Sequence, residues 1–145
     1  MQIRKAENMD LPVLAELACR LWPHHSLPEM REDVGQILEK PDAAFFLAWD
    51  SDTAVGFAQC QLRHDYVEGT ETSPVGYLEG IYVAEGYRKQ GLARRLLSAC
   101  ETWAKVQGCR EFASDCELDN AQSLRFHLKA GFEEANRIIC FTKKI

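Results

Sequence analysis

Residues 75–106 read as three consecutive pieces whose order leaves few folds open. Val75-Gly76-Tyr77-Leu78-Glu79-Gly80-Ile81-Tyr82-Val83, entered from Pro74, has the β-branched and aromatic content of a strand. Glu85-Gly86-Tyr87-Arg88-Lys89-Gln90-Gly91 is a polar loop. Leu92, Leu96, Leu97, Cys100, Trp103 and Val106 then form the apolar stripe of a helix, which Gly108 ends. A loop that feeds a helix start leaves several backbone N–H groups without intrahelical partners. With the positive end of the helix dipole, those donors suit a phosphate or pyrophosphate. Gly91 removes a side chain where an anion would approach the main chain, and Arg88, Lys89, Arg94 and Arg95 gather positive charge there. Neither G-x-x-x-x-G-K-[ST] nor G-x-G-x-x-G is present, so the loop is not of the nucleotide P-loop or dinucleotide type.

The rest of the chain supplies a layered partner for this unit. Gln2 to Lys5 reads as a strand. Asn8 or Asp10 can cap a helix with Leu11, Leu14, Leu17, Ala18 and Leu21 on one face, stopping near Trp22-Pro23. A second helix fits Pro28 to Glu39 and ends before Pro41. Ala43 to Trp49 and Ala54 to Leu62 are strands joined by the turn Asp50-Ser51-Asp52, and Arg63 to Pro74 is a polar loop. Cys109 to Asp115 is a further strand, Ala121 to Lys129 a helix capped by Asp119 or Asn120, and Arg137 to Lys143 a terminal strand. The order β-α-α-β-β-β-α-β-α-β, with no linker or repeat, predicts one α/β layered domain over 1–145, its helices packed on a mixed, mostly antiparallel sheet.

Charge and cysteine usage narrow the partners. The 17 basic and 22 acidic residues leave a net charge of −5, which argues against binding a nucleic-acid backbone and fits a cationic partner. No apolar run approaches the roughly 20 residues that span a bilayer. The first residues carry no secretory pattern, so a cytoplasmic location is expected, away from membrane. Cys19, Cys60, Cys100, Cys109, Cys116 and Cys140 are scattered, without C-x-x-C or zinc-type spacing, and are expected as free or buried thiols with no metal.

Arg88-Lys89-Gln90-Gly91-Leu92-Ala93, placed after a strand and opening a helix, resembles the R/Q-x-x-G-x-G/A acetyl-CoA motif of the GCN5-related N-acetyltransferase (GNAT) family. Asn120 and Phe126-His127-Leu128-Lys129-Ala130-Gly131-Phe132 resemble that family's fourth-helix pattern. Leu21-Trp22-Pro23-His24-His25, Arg63-His64-Asp65-Tyr66-Val67, Ser73-Pro74-Val75, Tyr77-Leu78-Glu79-Gly80-Ile81 and Gly108-Cys109-Arg110-Glu111 through Ser114-Asp115 look like aminoglycoside 6′-N-acetyltransferases. The resemblance implies the GNAT fold, acetyl-CoA as co-substrate, direct acetyl transfer to the 6′-amine of an aminoglycoside, antibiotic resistance and a homodimer. It places Ile81 and Val83 beside the pantetheine and acetyl group. Arg88, Lys89, Gln90, Gly91, Leu92 and Ala93 would surround the pyrophosphate, with Arg94 adding charge and Asn120 touching the pantetheine arm. His127 stands where many relatives carry a tyrosine; it is kept as a cofactor-side residue without an assigned acid role.

The chemistry asks for carboxylates. A sugar-borne amine is mostly protonated at neutral pH, and only its neutral form attacks a thioester, so a site must attract a polycation and accept a proton. By resemblance Glu79 and Asp115 are the candidates for both tasks, with the identity of the base, or a water relay, left open. Trp22, His25 and Tyr66, on loops flanking the expected site, would hold the sugar rings by an aromatic face and polar tips. Two other readings remain: the same chemistry on a polyamine, metabolite amine or protein N-terminus, or an acyl-CoA-binding module without transfer.

Overall fold

An unbroken apolar run leaves no face fit for water, so Ala43 to Trp49 has to be covered on both sides. The computed structural model, which describes residues 1–145, shows how. The sheet contains β1 (Gln2–Lys5), β2 (Ala43–Asp50), β3 (Thr53–Arg63), β4 (Val75–Val83) and β5 (Phe112–Ser114), side by side in that order. Ala44, Phe46 and Ala48 of β2 face one layer, and Phe45 and Leu47 face the other. Helices α1 (Leu11–Leu21) and α2 (Leu27–Leu38) cover the second face through Leu14, Leu17, Ala18, Met30 and Val34. Helix α3 (Leu92–Val106) covers the first with the stripe the sequence predicts, Leu92, Leu96, Leu97, Cys100 and Trp103, although Val106 at its end is exposed. Helix α4 (Ala121–Lys129) packs Phe126 against the α3 side.

Two features of the sheet prepare a site. The pairs β1–β2, β2–β3 and β3–β4 are antiparallel, whereas β4 and β5 run parallel and pair only from Gly76↔Phe112 to Leu78↔Ser114. Beyond that point the strands part, and β4 continues from Glu79 to Val83 with no strand beside that edge. The second feature is a β-bulge. Gln59 lies opposite Gly80 and the next residue, Cys60, lies opposite Leu78, so Glu79 is an extra residue on β4. In a regular strand Leu78 and Ile81 would point to opposite faces. Here both pack on the α3 side, because the bulge resets the alternation at Glu79.

The helix ends follow the sequence in part. Ser26 caps α2 by accepting from the Glu29 N–H at 3.3 Å, and Asn120 caps α4 by accepting from the Ser123 N–H at 3.1 Å. Asp10 does not cap α1. It closes a single 3-10 turn over Asn8–Asp10, accepting from the Glu7 N–H and from two Arg4 nitrogens, all at 2.8 Å. Its side chain is buried, and the Arg4 hydrogen bonds, against the opposing effect of burial, hold its carboxyl below the usual range. Asp10→Ala is expected to lower the unfolding free energy by about 2 kcal/mol in urea titration, because it orphans the Glu7 N–H and leaves Arg4 unpaired. The native carboxyl titrates lower than the unfolded one. Its contribution is therefore present above about pH 4 and disappears as pH falls through the native value, so wild type and variant converge in acid.

One expected element is missing. Arg137 to Lys143 does not form a strand; residues 133–145 are in neither helix nor strand, and all are exposed. The β-branched composition was a sound local signal. A strand, however, exists only against a paired edge, and no strand of this chain lies beside the segment. The strand expected from Cys109 is likewise reduced to Phe112–Ser114. All six cysteines are free, with Cys60, Cys100 and Cys109 buried. No helix is long and apolar enough to cross a membrane.

Candidate active site

The loop between β4 and α3 is held at both ends by side chains. Tyr87 donates its hydroxyl to Asp50 at 2.9 Å, and Arg88 donates Nε to the Val83 carbonyl at 2.8 Å. Between these anchors and the helix, Lys89 and Gly91 take left-handed backbone angles (φ 62° and 78°). The chain therefore curls so that the N–H groups of residues 89–94 donate to no protein acceptor; the first bond of the helix is Arg95 N–H to Gly91 C=O at 3.1 Å. Six consecutive free donors at the positive end of a helix form an anion cradle, and a Cβ added at Gly91 would meet nothing within 4 Å. A pyrophosphate fits this donor set.

The side chains around the cradle also have partners within the chain. Arg88 uses Nε on Val83, and Arg94 donates Nη1 to the Lys129 carbonyl at 2.9 Å, tying α3 to the end of α4. Leu92 is buried in the core and Ala93 packs against it, so both present only main chain to the cradle. Lys89 is exposed, and Gln90 reaches back toward the Gly86 carbonyl at 3.5 Å. The main chain thus presents an unbroken run of free donors here. Ile81 and Val83 lie on the open stretch of β4 that leads from Glu79 into this loop. Asn120 uses its carbonyl oxygen as a cap and keeps its amide N–H groups free. His127 has both ring nitrogens engaged. Nδ1 donates to the Ser123 carbonyl at 2.7 Å, and Nε2 lies 2.8 Å from Ser114 Oγ, which bridges α4 to β5.

Glu79 and Asp115 come together as the sequence suggests. They follow directly on the last paired register, Leu78↔Ser114, so the parting of β4 and β5 opens between them. Each is already engaged by a neighbour. Arg63, at the end of β3, donates Nε and Nη2 to both Glu79 oxygens at 3.2, 2.9 and 3.0 Å. Tyr77 donates its hydroxyl to Asp115 in a short hydrogen bond. Burial first, and then this bond, push the Tyr77 hydroxyl well above its ordinary pKa, so it stays a neutral donor. The Arg63 guanidinium lies over the Tyr77 ring, 3.4 Å from its centroid. Burial works against the Arg63 charge, but the bonds to Glu79 outweigh it and the group is held more firmly protonated than usual. Tyr77 and Arg63 occur in the quoted sequence segments, yet nothing in the spacing assigned them these roles.

The aromatic candidates are spread over two walls. Trp22 ends α1 and lies against Gly80, where an added Cβ would sit 2.6 Å from the indole. With His25, Asp33 and Gln59 it lines a cleft of about 200 Å³ between α2 and the sheet. Asp33 and Gln59 were not singled out by sequence; Gln59 is a buried polar residue on an apolar strand, whereas Asp33, exposed on α2, carries no such signal. His25 is exposed, 3.6 Å from Glu29. Tyr66 is exposed, and its hydroxyl accepts from the Gly69 N–H within its own loop at 3.4 Å. Its neighbour Val67 packs with Val75 and Tyr77, which sets the loop beside the carboxylates. Glu111 fastens that loop by accepting from the Glu71 and Thr72 N–H groups at 2.9 and 2.8 Å.

A family model described as acetyltransferase (GNAT) family matches residues 11–132. An aminoglycoside N(6′)-acetyltransferase type 1 from Stenotrophomonas maltophilia is 44% identical over 140 residues, covering 96% of this chain and 90% of the relative. Among solved structures, aminoglycoside N-acetyltransferase AAC(6′)-Iy in complex with CoA superposes with a TM-score of 0.96 at 38% identity, covering 99% of this chain and 95% of that one. The same enzyme with the bisubstrate analogue CoA-S-monomethyl-acetylneamine gives 0.95 at 38% identity, covering 99% and 98%. An anion cradle at the start of α3, carboxylates where β4 and β5 part, and these likenesses agree: the chain belongs to the acetyltransferase (GNAT) family, and within it to the aminoglycoside N(6′)-acetyltransferases.

Proposed function

We propose that the chain transfers the acetyl group of acetyl-CoA to the 6′-amino group of aminoglycosides, by direct attack within a ternary complex, and thereby confers resistance to them. The observation that carries this reading is the continuity of one strand. Glu79 and Asp115 stand at the start of the open stretch of β4, and the donor cradle stands at its end. Four residue steps of about 3.3 Å separate Glu79 from Val83, a span suited to an extended pantetheine arm. Acetyl-CoA supplies the activated acyl group, and this chain's residues place and prepare the amine. The cradle of residues 89–94 holds the pyrophosphate, and Ile81, Val83 and Asn120 line the arm. Glu79 and Asp115 draw the cationic sugar in, and one of them, directly or through water, accepts the proton that the 6′-ammonium must lose. The new N–C bond then replaces the C–S bond, and the departing thiolate takes its proton from solvent; His127, held by Ser123 and Ser114, orients α4 against β5. Trp22, His25 and Tyr66 cover the sugar.

The reading includes a single domain over 1–145, a cytoplasmic location and a homodimer. The exposed segment supports the dimer. Ile138, Ile139, Phe141 and Ile145 are 70, 80, 87 and 116% exposed, and the outer edge of β5 has no partner strand. A second copy can supply what each lacks.

A thiol-release assay with acetyl-CoA tests the activity. Thiol is expected with aminoglycosides bearing a 6′-amine and not with those bearing a 6′-hydroxyl. A preference for a linear polyamine would assign another amine, and acetyl-CoA binding without turnover on any amine would leave only a binding module.

A further inference from the structure

Arg63 places a cation of the protein's own on the carboxylate assigned to the substrate. Its guanidinium takes both oxygens of Glu79 while resting on the Tyr77 ring, whose hydroxyl is committed to Asp115. An ammonium entering between Glu79 and Asp115 meets a cluster whose two negative charges are already offset by one positive charge. The pair is not sealed: the Arg63 side chain is 38% exposed and that of Glu79 18%. A partly solvated ion pair is weakly held and can be exchanged. The polar loop that follows Arg63 carries Asp65, Glu68 and Glu71, acidic partners for a guanidinium that withdraws.

We propose that Arg63 is a tethered counter-cation that the incoming ammonium must displace from Glu79, so that it sets the affinity of the site for amines. This rests on the reading of Glu79 as an amine-binding group. A singly charged amine exchanges one ion pair for another and gains little. A polycation repays the displacement through its remaining ammonium groups, for which Asp115 and, across the sheet face, Asp33 offer carboxylates. Arg63 therefore lowers the affinity for every amine by one common displacement cost.

The test compares Arg63→Met, which keeps the apolar stem over Tyr77, and Arg63→Gln with the wild type at saturating acetyl-CoA. The substrates are a multiply charged aminoglycoside and a monoamine, 6-amino-6-deoxyglucose. Both variants are expected to lower KM for both amines by a similar factor of about fivefold, the scale of one partly exposed ion pair. The change should fall on KM rather than kcat. A rise in KM for both substrates, or a loss confined to kcat, would overturn the proposal and make Arg63 a positioning residue for Glu79. Glu79→Gln in the same assay separates the two layers. If it leaves aminoglycoside turnover intact, the reading of Glu79 fails; if it abolishes turnover while the Arg63 variants keep wild-type KM values, only the role of Arg63 fails. Acetyl-CoA affinity of each variant reports whether the fold is retained.

Discussion

Glu79→Gln is expected to reduce kcat/KM for an aminoglycoside by about 10²- to 10³-fold, the range a positioned proton acceptor and its charge supply. The substitution keeps the side chain's shape and can still accept one hydrogen bond from Arg63, so packing around the bulge is preserved. It removes the charge that attracts the substrate and the lone pair basic enough to take its proton. Acetyl-CoA affinity should stay near the wild-type value, since the cradle of residues 89–94 lies at the other end of the open β4 stretch. Raising the pH should restore part of the lost rate, because more of the substrate amine is then already neutral and the missing acceptor matters less. Initial rates from pH 6 to 9, with acetyl-CoA binding measured by calorimetry, check both statements. A variant that keeps full activity across that range would remove Glu79 from the mechanism. Asp115→Asn should lose less, because Asp115 is exposed and its bond from Tyr77 survives the change.

The second large effect concerns assembly. Ile139→Ser combined with Phe141→Ser is expected to convert a dimer into a monomer in sedimentation equilibrium. Each of these side chains, once buried, contributes about 1.5–3 kcal/mol, and a homodimer of the variant loses four of them, so association weakens by roughly 10⁴-fold or more. The monomer itself should keep its thermal stability, since neither residue contacts the core of its own chain. Residues near the root of the segment do make contacts: Asn136 donates to Glu68 at 3.1 Å, and Gly69 closes on Ala135. These pass the segment over the loop that carries Tyr66, so loss of the dimer should also raise KM for the aminoglycoside. A wild-type chain that sediments as a monomer, or a double variant that remains dimeric, would refute this assembly.

The local elements were legible because their signals are local. The stripe from Leu92 to Trp103, the glycine at 91 and the strand from Val75 to Val83 each depend on residues a few positions apart, and the structure keeps all three nearly unchanged. The cradle was legible for the same reason, since free N–H groups at a helix start are a backbone property. The partners of its basic side chains were not legible, because the carbonyls that bind Arg88 and Arg94 are set by how the loop and α4 fold back. Whether Asn8 or Asp10 caps α1 was not legible, because Arg4, across a turn, claims the Asp10 carboxylate. Arg137 to Lys143 was read as a strand from composition, which cannot say whether an edge is available.

What the sequence determined by itself is the set of elements, their faces, and the residue types a positively charged substrate and a diphosphate require. What only the tertiary structure decided is which of those charges are already answered. Arg63 reaches Glu79 across 16 positions, and Tyr77 reaches Asp115 across 38. Both contacts depend on β3 and β5 flanking β4, where Tyr77 and Glu79, two residues apart, share one face. Electrostatic pairing depends on distance in space, and a one-residue change of strand phase moves a side chain to the opposite face without altering any local pattern.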